Sequence, residues 1–463
     1  HASLCIKHFC YGYRRKKNPV SKSSSHTLPA RGTTLNEVNM PDLLIKNALL
    51  RNQITNDILI QNGIILDVAP KIEKSDVKII DAHNHFVCPP FVDSHFHLDA
   101  TLSYGLPRIN ESGTLLEGIK LWGELKPNLT ADALKSRART LCHWAIARGT
   151  LAVRSHVDIS DKSLLAVEAM LDIKEEVKDW IDLQLVAFPQ DGLLRAESKS
   201  NLLRALDLGV DVVGGIPHFE RTTSDGAESI KTLCEIAEKR SLMVDMHCDE
   251  SDDPMSRHIE TLCKETLRLG LNGRVAGSHL TSMHSMDNYY VSKLLPLMRE
   301  SEISVIANPL INITLQGRHD TYPKRRGMTR VPEQMQAGLN VAFGHDCVMD
   351  PWYPLGSHDM LDVAHMALHV AQMTGQKQME NCFDAVTENP AKILGLDNYG
   401  VEKGCKADLI VLQCKNATEA LRLRPARLFV IKSGTIISST NPVSYKLNLS
   451  GKTIETDLIF HRD

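Results

Sequence analysis

The chain has 463 residues, of which 43% are hydrophobic and 24% charged, and its formal net charge is −3. This composition is ordinary for a globular protein with a large core, and such a charge gives no general attraction to nucleic acid or anionic membranes. No apolar run approaches the roughly 18 residues that a membrane-spanning helix needs. The eleven cysteines include no CxxC pair, and an odd number cannot all pair within one chain. We therefore expect a reducing, cytoplasmic location and no nucleic-acid or membrane partner.

Residues 1–39 form a basic, low-complexity extension. The first 36 of them include seven Lys or Arg and no Asp or Glu, a composition that is typical of organellar transit peptides and of disordered arms. Residue 1 is not Met, and the first Met is Met40. Two interpretations stay open: a transit peptide, which would imply an organellar location, or an artefact of the sequence.

Short alternating segments at both ends of the chain predict a small β domain. Residues 40–89 include PDLLIKNALLRNQITNDILIQNGIILDVAP, and residues 401–463 include CKADLIVLQC and RLFVIKSGTIISS. Alternating apolar and polar residues between turn residues indicate short strands. We expect the two ends to meet in one β-sandwich, which leaves residues 90–400 for a second domain.

Eight apolar segments recur within residues 90–400, each followed by an amphipathic stretch. After the first gap they start roughly 30 residues apart, the length of a strand, a crossover helix and two loops. Eight such units predict an α/β fold, a closed (β/α)8 TIM barrel, whose functional residues lie at the carboxyl ends of the strands. The predicted strands span residues 91–98, 150–157, 181–190, 210–219, 241–248, 274–280, 303–310 and 339–346.

Polar side chains cluster at the ends of these predicted strands, where an apolar core would not place them. Because the carboxyl ends of barrel strands meet at one face, we expect these side chains to converge. They are His95, His97, Gln190, His247, His279 and Asp346.

Two His-x-His pairs lie close together in DAHNHFVCPPFVDSHFHLD. Residues i and i+2 of a strand point to the same face, so such a pair on a strand directs two imidazoles into one space. His95 and His97 end the first barrel strand, whereas His83 and His85 precede a double proline that favours a turn. We assign a metal to His95 and His97 and expect none at the earlier pair.

Two imidazoles are too few ligands for a metal. His247 and Asp346, at the ends of the fifth and eighth strands, complete a set that leaves a position for water. Mixed nitrogen and oxygen ligands favour Zn(II) or Fe(II) over Mg(II) or Ca(II). The fourth strand has no Lys that could be carbamylated to bridge a second ion, so we expect one divalent ion.

Each of these residues has a structural alternative. His156 and His218 are interpreted as structural histidines at strand ends, and Asp346 alone could be a helix N-cap. His279 lies between two ligand strands, which favours a functional role. To explain the whole pattern without a functional site, all of these structural alternatives would have to be true at the same time.

Nine motifs carry a resemblance to a known family that extends from about residue 42 to about residue 440. The most specific, taken together, are HCDE, LQGRHDTYPKRRG and FGHD-x-x-x-DPW. The others are PPFVDSHFHLD, NESGTLLEGI, HVDISD, DLQLVAFPQ, VVGGIPHFE and SHLTSMHS. Together they resemble the metal-dependent amidohydrolase superfamily and, more closely, bacterial-type cytosine deaminase. TENPAKILGL and KGCKADLIVL resemble the superfamily's return to the β-sandwich.

The resemblance implies a catalytic set. Glu250 matches a proton shuttle that contacts the ring nitrogen, and His279 matches the residue beside the activated water, which it would orient with Asp346. The four matching metal ligands are His95, His97, His247 and Asp346. The implied reaction is the hydrolysis of cytosine to uracil and ammonia, a step of pyrimidine salvage.

The resemblance also implies a substrate pocket, with one departure from the family pattern. Gln190 matches the amide that contacts the carbonyl and ring-nitrogen edge, and Leu115 and Trp352 match apolar walls. Cytosine deaminases usually carry a second Asp after the ligand Asp346, where this chain has Cys347. A thiol removes an acceptor and makes room, so a 5-substituted cytosine such as 5-methylcytosine is the alternative substrate, unless the change is neutral.

Other functions stay open. The same metal site would serve the hydrolysis of isoguanine, creatinine or an aminotriazine. Only pocket residues such as Gln190, Cys347 and Trp352 would distinguish these substrates from cytosine. A non-catalytic barrel scaffold would have lost ligands or the proton shuttle, and all of them are present here. Relatives are often oligomeric, so the resemblance allows a homo-oligomer with a small-molecule nucleobase as its substrate.

Overall fold

The computed structural model describes residues 42–459, so the predicted basic extension lies outside the described residues. Strands precede, build and follow a barrel. The first five are β1 (Leu43–Leu49), β2 (Thr55–Gln61), β3 (Ile64–Ala69), β4 (Lys78–Asp81) and β5 (Phe86–Cys88). The barrel strands are β6 (Phe91–Phe96), β7 (Thr150–Asp158), β8 (Asp182–Phe188), β9 (Val212–Gly215), β10 (Met243–Cys248), β11 (Val275–His279), β12 (Ser304–Ala307) and β13 (Val341–Phe343). The last five are β14 (Leu409–Leu412), β15 (Arg427–Lys432), β16 (Thr435–Ser439), β17 (Tyr445–Leu449) and β18 (Lys452–Thr456).

Most helices connect consecutive barrel strands. Within residues 42–459, no helix combines the length and the apolar character needed to cross a lipid bilayer. The helices are α1 (Leu115–Leu125), α2 (Ala131–Ala147), α3 (Leu165–Val177), α4 (Ser198–Asp207), α5 (Thr223–Arg240), α6 (His258–Leu269), α7 (Asn288–Glu300), α8 (Pro309–Leu315), α9 (Val331–Gln336), α10 (Met360–Val370), α11 (Gln376–Asp384), α12 (Glu388–Leu394) and α13 (Ala417–Leu423).

Strands β6 to β13 pair in sequence order and in parallel, and each overlaps its predicted segment. The two ends of this sheet also meet. The Asp346 amide donates to the His95 carbonyl at 2.9 Å, and the His97 amide donates to the Asp346 carbonyl at 3.0 Å. The predicted (β/α)8 barrel is therefore confirmed, with its closure beside the predicted metal ligands.

The barrel forms because its strands are apolar along their length while its helices are apolar on one face. All nine residues of β7 are buried, as expected for a parallel sheet covered on both sides. Helix α2 buries Leu134, Ala138, Leu141 and Ala145, a spacing that places these side chains on one helical face.

An apolar layer closes the amino-terminal end of the barrel. Val92, Ala152, Ile306 and other small residues point inward from the strands and pack against α12. Because this end is filled, the polar residues at the opposite end border the open space.

The two chain ends build one small β domain, as predicted. Their eight-stranded sheet runs in the order β16-β15-β14-β5-β1-β2-β3, with β4 also paired to β1. The pairing of β5 with β14 joins the two ends. Ile58 and Ile60 on β2 and Leu409 and Val411 on β14 alternate toward a shared core. Strands β17 and β18 form a separate hairpin.

Arg427 on β15 joins the β domain to the barrel. Its Nε donates to the carbonyl of Arg148 at the end of α2, at 2.9 Å. Its guanidinium also pairs with Asp359, and both side chains are almost fully buried. Asp359 in turn accepts from the Leu361 amide as the N-cap of α10. One buried ion pair therefore links the sheet, α2 and α10.

Replacing Arg427 by Met should destabilise the protein strongly. The change leaves the buried Asp359 carboxylate with only the more exposed Arg148 guanidinium, at 3.6 Å, as its counter-charge, and breaking a buried ion pair costs about 3–5 kcal/mol. The free energy of unfolding from denaturant titration measures this loss. Arg240→Ala is the control, because it breaks a more exposed pair with Asp207, and such pairs contribute about 0.2–1 kcal/mol. Equal losses in the two variants would contradict the proposed role of Arg427.

Candidate active site

A cavity of about 410 Å³ lies at the carboxyl ends of the barrel strands, within the usual size of small-molecule sites. Every predicted site residue except His95 lines this cavity: His97, Leu115, Gln190, His247, Glu250, His279, Asp346, Cys347 and Trp352. His95 is fully buried, and the centre of its ring is 5.6 Å from that of His97. The structure thus brings together residues that are far apart in the sequence and come from several barrel strands and their loops.

The predicted ligand atoms converge at distances that suit a metal. The Nε2 atoms of His95 and His97 both lie 3.4 Å from Asp346 Oδ1, and His97 Nε2 lies 3.0 Å from His247 Nε2. Ligand atoms about 2.1 Å from a tetrahedral metal are about 3.4 Å apart. Among the described residues, the buried Nε2 of His95 has no hydrogen-bond partner. These donors fit one divalent ion.

Two of the site residues have a left-handed backbone. The φ angles are 72° at His279 and 69° at Asp346, values that non-glycine residues adopt infrequently. Each residue stands where its strand ends and the chain turns away. Such conformations are unfavourable and concentrate at functional sites, where the surrounding structure maintains them.

The protonation states of Asp346, His97 and His247 also suit metal binding. Burial alone would raise the pKa of the Asp346 carboxyl, but the neighbouring rings of His95, His279 and His97 hold it below its ordinary value. Burial lowers the pKa of His97 to about 4 and lowers the pKa of His247 well below its ordinary value. An ionised carboxylate and neutral imidazoles are the forms that bind metals.

Glu250 and His279 lie together beside this group. Glu250 Oε1 is 3.6 Å from His279 Nδ1. Burial, and secondarily the charge of Asp346, raise the pKa of Glu250 well above its ordinary value, which favours a protonated side chain that can donate. Asn312 Oδ1 accepts from the Asn308 amide, so its Nδ2 donates to His279 Nδ1 at 2.9 Å. This contact orients the His279 ring.

Other parts of the cavity wall combine a free amide with apolar side chains. Within residues 42–459, no group hydrogen bonds to the Gln190 side-chain amide, which is free to contact a ligand. Trp352 packs against Trp122, with ring centres 5.9 Å apart. The amides of Trp352 and Tyr353 both donate to Asp350 at 2.9 Å. This turn fixes the tryptophan at the cavity wall.

Cys347 occupies the wall directly after Asp346 and is only 3% exposed. Burial, and secondarily the charges of Asp350 and Asp346, raise the pKa of its thiol well above the ordinary value. The thiol is therefore neutral. At this position the chain presents a small, weakly polar surface to the cavity.

Two histidines interpreted as structural from sequence also lie at the site. The His156 ring centre is 4.2 Å from that of His95, and ligand atoms of His95, His156 and His247 lie within 4.8 Å of one another. In the part of the chain that the structure describes, neither ring nitrogen of His156 has a hydrogen-bond partner. His218 lines the cavity. Their positions at the ends of β7 and β9 were the sequence signal that could have identified them.

Asp346 and the earlier His-x-His pair occupy clearly different surroundings. Asp346 is not a helix N-cap, because the following helix α10 has Asp359 in that role. His83 stands on a turn after β4, and 72% of its side chain is exposed. Its Nδ1 lies 3.7 Å from Asp81, away from the cavity. The earlier His-x-His pair is therefore not part of this site.

The barrel and its His-rich mouth define a metal-dependent hydrolase. A family model described as "Amidohydrolase family" matches residues 78–443, and the chain belongs to this family. The predicted resemblance to cytosine-deaminase-like amidohydrolases is confirmed. The protein is a hydrolase that acts on C–N bonds, and its family and donor set assign it a divalent metal ion.

Three relatives illustrate the range of the family. The crystal structure of 5-methylcytosine deaminase from Klebsiella pneumoniae, liganded with phosphonocytosine, is 42% identical, with a TM-score of 0.84, covering 86% of this chain and 98% of that chain. N-isopropylammelide isopropyl amidohydrolase of Pseudomonas sp. strain ADP is 31% identical over 409 residues, 86% of this chain and 97% of the relative. Pterin deaminase of Rhizobium rhizogenes is 26% identical over 392 residues, 83% and 88% of the two chains.

Gly118→Ala should weaken substrate binding and lower stability. A Cβ at Gly118 would lie 2.4 Å from Trp352 Cδ1, so the indole must move, and such overpacking costs about 1–3 kcal/mol. Gly123 in the same helix has no atom within 4 Å of the corresponding position. Gly123→Ala should instead stabilise by up to about 1 kcal/mol through helix propensity. Thermal unfolding and KM measure both effects, and a stabilised Gly118→Ala variant would contradict this packing.

Proposed function

We propose that the protein is a hydrolytic deaminase of 5-substituted cytosines, with 5-methylcytosine as its representative substrate. The observation that carries this proposal is Cys347, a neutral thiol in the cavity wall where the family pattern has a carboxylate. A methyl group next to a charged carboxylate would remove water from that charge at a cost. Beside a thiol, the same methyl group gains an apolar contact.

The comparisons support this substrate over unmodified cytosine. The 42% identical structure belongs to a 5-methylcytosine deaminase, and the match covers nearly all of that chain. The same enzyme from Klebsiella pneumoniae has also been crystallised with 5-fluorocytosine, another 5-substituted ring. The cytosine reaction expected first from the sequence becomes the secondary activity in this proposal.

In the proposed site, one Fe(II) or Zn(II) ion would be held by His95, His97, His247 and Asp346. Such an ion supplies Lewis acidity, which lowers the pKa of water toward about 7 and provides a hydroxide nucleophile without a strong base. The anionic Asp346 and the His279 ring face the same space and would orient the attacking water. The buried surroundings exclude bulk solvent, which strengthens these polar interactions.

Glu250 would move protons between the water and the base. In its protonated form it donates to the ring nitrogen N3, which makes C4 electrophilic. A C4–O bond forms as water adds, and the carboxylate takes up a proton from that water. Glu250 then passes a proton to the exocyclic nitrogen, the C4–N bond breaks, and ammonia leaves. The Glu250 carboxylate takes the remaining proton from the C4 hydroxyl as the C4 carbonyl forms, which restores its protonated form. The products are the corresponding uracil and ammonia, so all atoms balance.

The remaining wall residues would position the ring. The free Gln190 amide can donate to the ring carbonyl and accept from a ring N–H, which recognises one edge of the pyrimidine. Trp352 and Leu115 provide apolar surfaces for the ring. A ring held at its edge and faces presents C4 to the nucleophile, which is the main contribution of orientation to catalysis.

A second candidate substrate is another small nitrogen heterocycle, such as isoguanine, creatinine or an aminotriazine. The names of two relatives state other substrates, N-isopropylammelide and pterin. Ammonia release from these compounds alongside cytosine and 5-methylcytosine distinguishes the candidates.

The nine cysteines of the described region are all unpaired, which supports a reducing, cytoplasmic location for the reaction.

The substrate proposal is tested by kcat/KM for 5-methylcytosine and cytosine in the wild type and in Cys347→Asp. We expect the wild type to prefer 5-methylcytosine. The carboxylate should reduce this preference about 10- to 200-fold, the range that one methyl-sized group contributes in a pocket. Cys347→Ser is the matched control, because it keeps a small neutral side chain and should keep the preference. A strong wild-type preference for cytosine would falsify the proposal.

Glu250→Gln should abolish most turnover while leaving the metal bound. Glutamine keeps the size of the side chain but cannot exchange a proton, and the loss of such a group costs at least about a hundredfold in kcat. Metal analysis should still find one ion per chain, because Glu250 is outside the proposed ligand set. Near-normal turnover in this variant would remove Glu250 from the proton-transfer role.

A further inference from the structure

A chain of hydrogen bonds extends from the proposed metal ligand His95 into the barrel interior. His95 Nδ1 lies 2.9 Å from the Ser278 hydroxyl on β11. That hydroxyl lies 2.7 Å from Asp245 Oδ1 on β10. Asp245 Oδ2 accepts from Arg154 on β7 at 3.0 Å. All four side chains are at most 1% exposed.

The direction of these hydrogen bonds follows from their chemistry. Asp245 is a carboxylate paired with a guanidinium, so it accepts, and the Ser278 hydroxyl donates its single hydrogen to it. The Ser278 oxygen is then an acceptor for His95. In the neutral form that binds a metal, the proton of the His95 ring therefore lies on Nδ1, and the lone pair of Nε2 faces Asp346.

Arg154 allows a carboxylate to be buried at this depth. Besides Asp245, the guanidinium donates to the Gln184 side chain at 2.8 Å and to the Ile393 carbonyl at 2.9 Å. A buried ion pair offsets its desolvation cost only when its remaining hydrogen-bonding groups are satisfied. These contacts anchor the far end of the chain to β8 and α12, so its position is fixed by the barrel itself.

We propose that Ser278 and Asp245 are positioning residues for the metal: they fix the orientation and the protonated nitrogen of His95. This inference rests on the proposed ligand set. Groups that hydrogen bond to a ligating histidine orient its ring and raise its basicity, and their loss typically weakens metal affinity about 10- to 100-fold. The role requires no contact between Ser278 or Asp245 and the substrate.

The test measures the dissociation constant of Zn(II) by chelator competition with the full-length protein. Ser278→Ala removes the acceptor, and Ser278→Cys replaces it with a weak one in a similar volume. Both should raise the dissociation constant about 10- to 100-fold. Ser278→Thr keeps the hydroxyl and should restore the wild-type value. Ser94→Ala is the matched control, because Ser94 is a fully buried barrel serine whose hydroxyl instead faces the Phe343 carbonyl.

The outcomes separate three possibilities. Weaker Zn(II) binding in the Ala and Cys variants, with Thr and Ser94→Ala unchanged, supports the inference. Wild-type affinity in Ser278→Cys, or an equal loss in Ser94→Ala, overturns it while the ligand set stands. If the wild type itself binds no Zn(II) in a one-to-one ratio, the ligand set fails and the inference fails with it. The unfolding free energy of the metal-free variants shows whether a loss reflects folding alone.

Discussion

The seam of the barrel is the constraint on which the rest of the structure depends. Strands β6 and β13 close the cylinder through backbone hydrogen bonds that involve His95, His97 and Asp346 themselves. Closure therefore fixes three of the four proposed ligands in the same step. The seam is tight: a Cβ at Gly344 would lie 2.7 Å from the Cβ of His95. Only glycine allows the two strands to approach this closely.

The barrel interior is divided into an apolar and a polar half. At the amino-terminal end, alanine, valine and isoleucine side chains fill the space against α12. Toward the carboxyl end, histidines, carboxylates and amides replace them, and each buried polar group needs a partner to offset its desolvation. The Arg154 and Asp245 pair supplies such partners next to the site. Groups at the cavity that have no partner within residues 42–459, such as the Gln190 amide, remain available to a ligand.

Much of this arrangement could be predicted from the sequence because it is encoded locally. The spacing of apolar segments predicted the eight strands, and a His-x-His pair at a strand end predicted converging imidazoles. Ser278, Asp245 and Asn312 could not be found in this way, because their partners come from other strands and no local pattern marks them. For His156 and His218, the sequence showed the position but not the role. Their strand-end positions were visible, but only the packing of rings across the barrel places them at the site.

The apolar layer at the amino-terminal end of the barrel affects how reactants can enter and leave the cavity. Within the described residues, α12 and its apolar neighbours pack against one end of the barrel, and the cavity lies at the other. The substrate, water and ammonia would then enter and leave through the carboxyl-terminal end of the barrel. The start of α1 and Trp352 line the cavity there. In the proposed reaction, ammonia is small enough to leave past a ring that is still bound, whereas the flat pyrimidine would have to leave by the path through which it entered.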